Sequence, residues 1–286
     1  MAIPEAPTAL SIVTEAYNSA GLFEPTVSEI TRATDYYLEE IKHNIARVKD
    51  WKILEATKVF IPTAYQQTVS IPSDFSKLIK ATFYDGSTKG TMQSATATTI
   101  ELASGAGKPS HIGRLIFITS GNAKGAMSRI IDINGDIATI EPAWSTIPTS
   151  GNYMIADTYR DLDYVEVDGI SPLPAVGHVT TISQYNGNFY LSPIPDRSDY
   201  AIVFKYLLAI HQIDLNSPKY TEILTEWRTA LVEGVKAKIY EEKDDARVLQ
   251  AKADYTNALK MLMIQDGKKR AFKGQVYFQS IGGLPR

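Results

Sequence analysis

The chain has 286 residues, a formal net charge of −3 at pH 7 and no cysteine. The lack of cysteine excludes disulfides, thiol nucleophiles and cysteine-held metals. Lysine and arginine are scattered without a basic stripe, which argues against a nucleic-acid-gripping surface.

The N-terminal segment "MAIPEAPTALSIVTEAY" has neither a basic stretch nor a long apolar core, so no signal peptide is expected. "TALSIVTEAYNSAGL" (8–22) predicts a short helix, with Leu10, Val13 and Tyr17 on one stripe, Thr8 at its start and Gly21 just past its end. Thr26 and Glu29 are spaced as a capping box. From about 27 to 50, Ile30, Ala33, Tyr37, Ile41, Asn44, Ile45 and Val48 recur at helical spacing.

Beyond Trp51 the period changes to two. "TKVFIPT", "QQTVSIPSDF" and "SKLIKATFYDG" read as strands, with Pro62 and Pro72 at strand ends or edges. Residues 87–157 then turn rich in Thr, Ala, Ser and Gly. Five short strands recur there, "TTIEL", "RLIFITS", "SRIIDI", "DIATIEP" and "NYMIA", separated by turn signals that include Asn134-Gly135. Many short strands with tight turns predict a small antiparallel barrel or sandwich. The first texture returns after Tyr159, and the interrupted sheet is expected to resume over 178–210, with a hairpin at Asn186-Gly187.

The longest apolar run, "AIVFKYLLAI" (201–210), contains Lys205 and falls far short of the ~20 residues of a membrane span. The last third predicts two helices. One covers 218–243, with Ile223, Trp227, Ala230, Leu231, Val235 and Ile239 on one face. The other covers 246–266, with Leu249, Ala253, Leu259 and Leu262 on a stripe and Gly267 past its end. "AFKGQVYFQSIGGLPR" (271–286) reads as an extended segment carrying Phe272, Val276, Tyr277, Phe278 and Ile281. Either it folds back on this chain's own core or it docks on a neighbour.

The fold class is therefore α+β: a helical domain with an antiparallel sheet (1–86 and 158–270), an inserted small all-β barrel or sandwich (87–157) and a C-terminal docking arm (271–286).

Catalytic signals are few. His43, His111, His178 and His211 lie in four separate elements, none at metal-ligand spacing. "GAGKPS" (105–110) fails as a phosphate loop, because Leu102 stands where a glycine is required and Pro109 where Ser or Thr would bind magnesium. Asp161, Asp163 and Asp168 do not fit a calcium loop, since Val165 and Glu166 hold its fifth and sixth positions. Glu241-Glu242, or Asp161 and Asp163, are acid pairs only by proximity. No serine elbow is present. No catalytic residue, metal or cofactor is expected. Trp144 and Tyr153 are either an aromatic glycan platform or members of the module's core.

The order of elements, with Pro72, Asp74 and Phe75 in "SIPSDFSKLIKATFYDG", Tyr190, Leu191, Pro193, Pro195 and Asp196 in "NFYLSPIPDRSDY", and two closing helices, resembles the head-to-tail adaptor (connector) proteins of tailed bacteriophages. The resemblance covers roughly 8–86 and 158–270. The insert, through "ATTIEL", "ITSGNAKG", "RIIDING" and "PAWSTIP", is similar to a β module of phage structural proteins. The family implies a non-enzymatic virion protein, made in the bacterial host cytoplasm and sited at the head–tail junction. Copies form a closed ring, dodecameric by resemblance, between the portal protein and the tail or nozzle. DNA passes through the centre without specific binding, and no membrane is involved. The arm, Phe272 to Ile281, would reach the portal. The alternative is a glycan-binding or peptidoglycan-cleaving tail protein acting through the inserted module.

Overall fold

A computed structural model describes residues 7–166, 175–217 and 220–279, and side chains as far as Lys268. The protein is a mixed α+β chain. It divides into two compact units, Met1–Glu55 with Leu208–Arg286, and Ala56–Leu207. The boundaries expected at 86/87 and 157/158 fall inside the second unit, at the two ends of a seven-stranded sheet.

In the helical unit, α1 (Ala9–Ser19) starts at a capping box in which Thr8 and Ser11 satisfy each other's backbone N–H groups. It stops at Gly21, whose φ of +76° lets the Leu22 N–H turn back to the Tyr17 carbonyl. Ile12, Val13, Ala16 and Tyr17 are buried, whereas Leu10, expected on that stripe, is exposed. The second helix is not one straight rod. It comprises α2 (Val27–Arg32), capped by Thr26 and Glu29, then a π-helical turn (Ala33–Leu38), then α3 (Glu39–Val48). The π turn adds a residue per turn and re-phases the buried stripe. Ala33 and Leu38, five apart, are both buried; Ile41, Lys42 and Ile45 continue the stripe at normal spacing and Val48 falls outside it.

Helix α4 (Thr221–Glu242) is buried on several sides, and all six residues expected on its inner face are buried. Gly234 permits α3 to approach closely, since a Cβ there would stand 2.6 Å from Ile41 Cγ2. Helix α5 (Val248–Gln279) packs on α4 and differs from expectation twice. It does not stop at Gly267, so residues 271–279 are helical, not extended; Ile281 lies outside the described residues. Its inner stripe is also rotated: Ala251, Leu262 and Asp266 are buried, while Leu249 and Ala253 face outward.

The strands of the other unit run β1 (Glu55–Phe60), β2 (Thr68–Ser70), β3 (Phe75–Asp85), β4 (Thr88–Thr91), β5 (Ser94–Ala95), β6 (Thr99–Glu101), β7 (Leu115–Ile118), β8 (Met127–Asn134) and β9 (Ile137–Glu141). After these come β10 (Asn152–Ile155), β11 (Thr158–Asp161), β12 (Asp163–Tyr164), β13 (Val176–Gly177), β14 (Thr181–Tyr185), β15 (Asn188–Ser192), β16 (Ile194–Pro195) and β17 (Ala201–Leu208). One sheet has the order β1-β17-β3-β11 and a second β12-β14-β15-β2, while β13 and β16 form a separate pair. The strand interrupted after Asp85 is rejoined at once: Thr158 pairs with Asp85 and Tyr159 with Tyr84, antiparallel. The sheet thus resumes at 158, earlier than the expected 178, and β14, β15 and β17 follow. Asn186 and Gly187, with φ of +46° and +75°, make the expected hairpin turn.

The excursion between β3 and β11 is a seven-stranded sheet, β4-β10-β7-β8-β9-β6-β5. All five strands read in the sequence are present; β4 and β5 were missed. The two edge strands are neighbours in the chain. Flat, seven strands would place them about 29 Å apart, yet the three-residue step from Thr91 to Ser94 spans at most about 11 Å. The sheet therefore curls upon itself. No β4–β5 ladder closes it among the described residues. Its concave side holds a core that includes Ile100, Ile116, Ile130, Ile140, Trp144 and Tyr153. Phe117 and Met154, alternate residues on β7 and β10, point the other way and pack with Ile61, just past β1, and Ala201 of β17. This double-sided burial is why "LIFI" and "YMI" are continuous apolar runs.

Candidate assembly surfaces

The residues singled out for chemistry are engaged in holding the fold. The "GAGKPS" loop wraps an internal anion: Gly105 and Gly107 donate backbone N–H groups to the Asp136 carboxylate at 2.9 and 2.8 Å. Those bonds hold the Asp136 pKa below the usual carboxylate range. A phosphate would meet an anion already in place. Asp161 pairs with Lys80 and accepts the Thr82 hydroxyl, Asp163 stands in β12, and Asp168 lies outside the described residues. Glu241 is held by Lys252 and Lys238, and Glu242 by Arg32 and the Tyr37 hydroxyl. The hydrogen bond from Lys252 is the chief cause that lowers the Glu241 pKa.

The histidines stay apart in role. His111 is buried and its Nε2 meets Thr88 Oγ1 at 3.2 Å; His178 stands edge-on to Phe83. No group of three His, Asp or Glu side chains among the described residues is placed to hold a metal ion. Trp144 and Tyr153 are both buried in the module, the Tyr153 hydroxyl accepting the Ala103 N–H at 3.1 Å, so neither offers a stacking platform. A half-open cleft of about 410 Å³ beside β3 is lined by Lys77, Ile79, Lys80, Leu162, Tyr164 and Gln184 among others, with no carboxylate or imidazole in its lining.

Where the module leaves the sheet, a cluster of charges holds the two ends together. Asp85 sits between Lys89, at 3.0 Å, and Arg197, and both cations also reach Asp199, at 2.8 and 2.9 Å. Burial of Asp85 pushes its pKa up, but hydrogen bonds from Lys89, the Gly86 N–H and Arg197 outweigh that and hold it low. Asp157, one residue before β11, accepts the Ser87 N–H at 2.6 Å and pairs with Arg114. Gly86 lies against the returning chain so closely that a Cβ would stand 1.8 Å from the Ile155 carbonyl oxygen. No local pattern announces this cluster, because Asp85 and Arg197 are 112 residues apart in the chain.

The docking-arm residues divide. Phe272, Val276, Tyr277 and Phe278 fall within α5, in the portion whose side chains lie outside the described residues, as does the whole of Ile281. The backbone shows where they ride. Helix α5 has 32 residues and α4 has 22, and a five-residue link, 243–247, joins them as a hairpin. At 1.5 Å per residue, α5 is about 48 Å long and α4 about 33 Å, so the last ten or so residues of α5 have no counterpart in α4. No described helix is long and apolar enough to cross a membrane. No family model matches the chain, and no curated protein matches its sequence.

Proposed function

We propose that this is a structural virion protein, a head-to-tail adaptor whose copies form a ring joining the portal protein to the tail or nozzle and continuing the DNA channel. The observation that carries the reading is the overhang of α5, a helix that outruns its partner by ten residues and bears Phe272, Val276, Tyr277 and Phe278. Apolar residues on a projecting helix are costly in a free monomer and useful in an assembly. Asp136, Asp161, Glu241, Glu242, Trp144 and Tyr153, by contrast, are committed to turns, ion pairs and cores. The curled module, read as a half-open barrel, adds a second body to the sheet and suits outward contacts with capsid or tail. A chain of net charge −3 suits a duct that must not grip DNA, since lysine and arginine on phosphates would create sticking. The glycan reading gains no support, because its aromatic platform candidates are buried.

The test is portal binding by a chain ending at Arg270. The adaptor reading expects portal complexes from the full chain and none from the truncated one, with the helical signal of the remainder retained. Normal portal binding by the truncated chain sinks the role given to the arm.

A further inference from the structure

Strand β3 lies between β17 and β11. The β11 ladder covers only part of it. That ladder pairs Asp85 to Thr82 with Thr158 to Asp161, and its last bond runs from the Leu162 N–H to the Ala81 carbonyl at 2.9 Å. Hydrogen-bonded pairs on an antiparallel ladder fall at every second residue. The next pair in this register would be Tyr164 with Ile79, and no hydrogen bond joins them. The chain has crossed to the other sheet instead: Asp163 and Val165 donate to the Thr180 and Ile182 carbonyls, at 3.0 and 2.9 Å.

Alternation along each strand fixes where the main chain then points. Asp163 and Val165 turn their N–H groups to β14, so the main chain of Tyr164 between them faces back towards β3. Ala81 turns its carbonyl to β11, so the main chain of Ile79, two residues away, faces the same side. Two strand edges therefore look at each other across an opening, the half-open cleft of about 410 Å³ that both residues line. Ile79 is 41% exposed and Tyr164 56%. The uncovered stretch of β3, residues 76–80, is about 17 Å long at 3.3 Å per residue. No described strand pairs with it on this side. An open edge beside an apolar cleft is a template for an added strand.

The lining selects the occupant. Lys77 and Lys80 are its charged members and it holds no carboxylate; Asp161, outside the lining, reaches Lys80 at 2.9 Å. Lysine on an open edge works against pairing with the same edge of a second copy, whose own lysines would be set opposite. It favours a strand that brings carboxylates.

We propose that the seam between β3 and β12 binds an extended segment of a partner protein, with apolar residues alternating with Asp or Glu, as an added strand along 76–80. Its main chain pairs with Ile79, its apolar side chains lie against Ile79, Leu162 and Tyr164, and its carboxylates come within reach of Lys77 and Lys80. The inference does not rest on the ring reading.

The probes are two labelled, end-capped peptides about seven residues long, enough to span 76–80. One alternates Val with Glu, the other Val with Lys, and each is added to the full chain. The Glu peptide binds at least about tenfold tighter than the Lys peptide in fluorescence anisotropy, and it slows hydrogen exchange at the Ile79 and Tyr164 amides. Lys77→Glu with Lys80→Glu, two exposed side chains whose reversal leaves the core intact, inverts the order of the peptides. Equal binding of the two peptides, binding of neither, or binding that leaves those two amides unprotected overturns the proposal. Self-association of the full chain that protects the same amides assigns the seam to a second copy and overturns it as well. Portal binding and ring formation bear on none of these outcomes, so the seam and the adaptor reading fail separately.

Discussion

The backbone N–H of Lys52 donates to Asp266 Oδ1 at 3.0 Å, and the other oxygen of the same carboxylate pairs with Lys49 at 2.5 Å. Asp266 is buried in the inner face of α5, so a residue from the last helix fixes the corner where α3 gives way to the sheet. Next to it, Trp51 donates its indole N–H to the Ile45 carbonyl at 2.7 Å and packs against Trp227 with ring centroids 5.7 Å apart. Asp266→Ala leaves a partly buried N–H without its acceptor and Lys49 without its anion. A loss of about 2 kcal/mol in denaturant unfolding is expected, and an unchanged midpoint contradicts the role assigned to this carboxylate.

Two glycines separate the two readings of the closing helices. At Gly234 an added Cβ meets Ile41, so Gly234→Ala should cost about 1–3 kcal/mol by overpacking. Ile41→Val in the same chain should recover part of that loss. At Gly267 nothing lies within 4 Å of an added Cβ and the helix continues, so Gly267→Ala should stabilise by up to about 1 kcal/mol. Were Gly267 a helix end in the left-handed conformation, as its sequence context suggests, the same change would destabilise.

Phe117 ties the module to the flanking sheet, its ring 5.3 Å from that of Tyr84. Phe117→Ala should cost about 3–5 kcal/mol. Because one cluster joins Phe117 and Met154 to Ile61 and Ala201, module and sheet should unfold together, as a single transition by both aromatic and amide signals. Separate transitions would show that the module is an independent body.

His111 makes this unit sensitive to pH. Burial, reinforced by Arg114 and Lys108, lowers its pKa, so the folded chain favours neutral imidazole and the unfolded chain binds the extra proton. Stability from this group is fully present above the unfolded value of about 6.5 and declines as pH falls below it towards the lower folded pKa. His111→Gln should flatten the dependence of unfolding free energy on pH below about 6.5. A slope identical to that of the unaltered chain would place the dependence elsewhere.

Local chemistry made the ends of elements legible. Thr8, Gly21, Thr26, Asn186 and Gly187 each act through their own backbone or a neighbour three residues away, and each does what its type suggests. The five module strands were legible for the same reason. Features set by distant contacts were not. Lys42 reads as a surface residue, yet it is buried beside Glu39 and donates to the Ile213 carbonyl at 2.9 Å. The π turn leaves no local mark, and only the five-residue step from Ala33 to Leu38 in the buried set betrays it. Gly267 stays helical despite about 1 kcal/mol of glycine cost, between the buried Asp266 and a helix that runs on to Gln279. The stripe of Leu249 and Ala253 obeys helical spacing, but periodicity alone does not say which of two apolar stripes turns inward. The proposed docking residues were legible only as composition, a cluster of aromatic and apolar residues in 271–286.

The central claim is a ring at one capsid vertex, and electron microscopy of the native particle tests it most directly. The account predicts density for this chain as a closed ring between portal and tail, with the overhanging end of α5 against the portal. Density for this chain at fibre tips, or elsewhere along the tail, would contradict it.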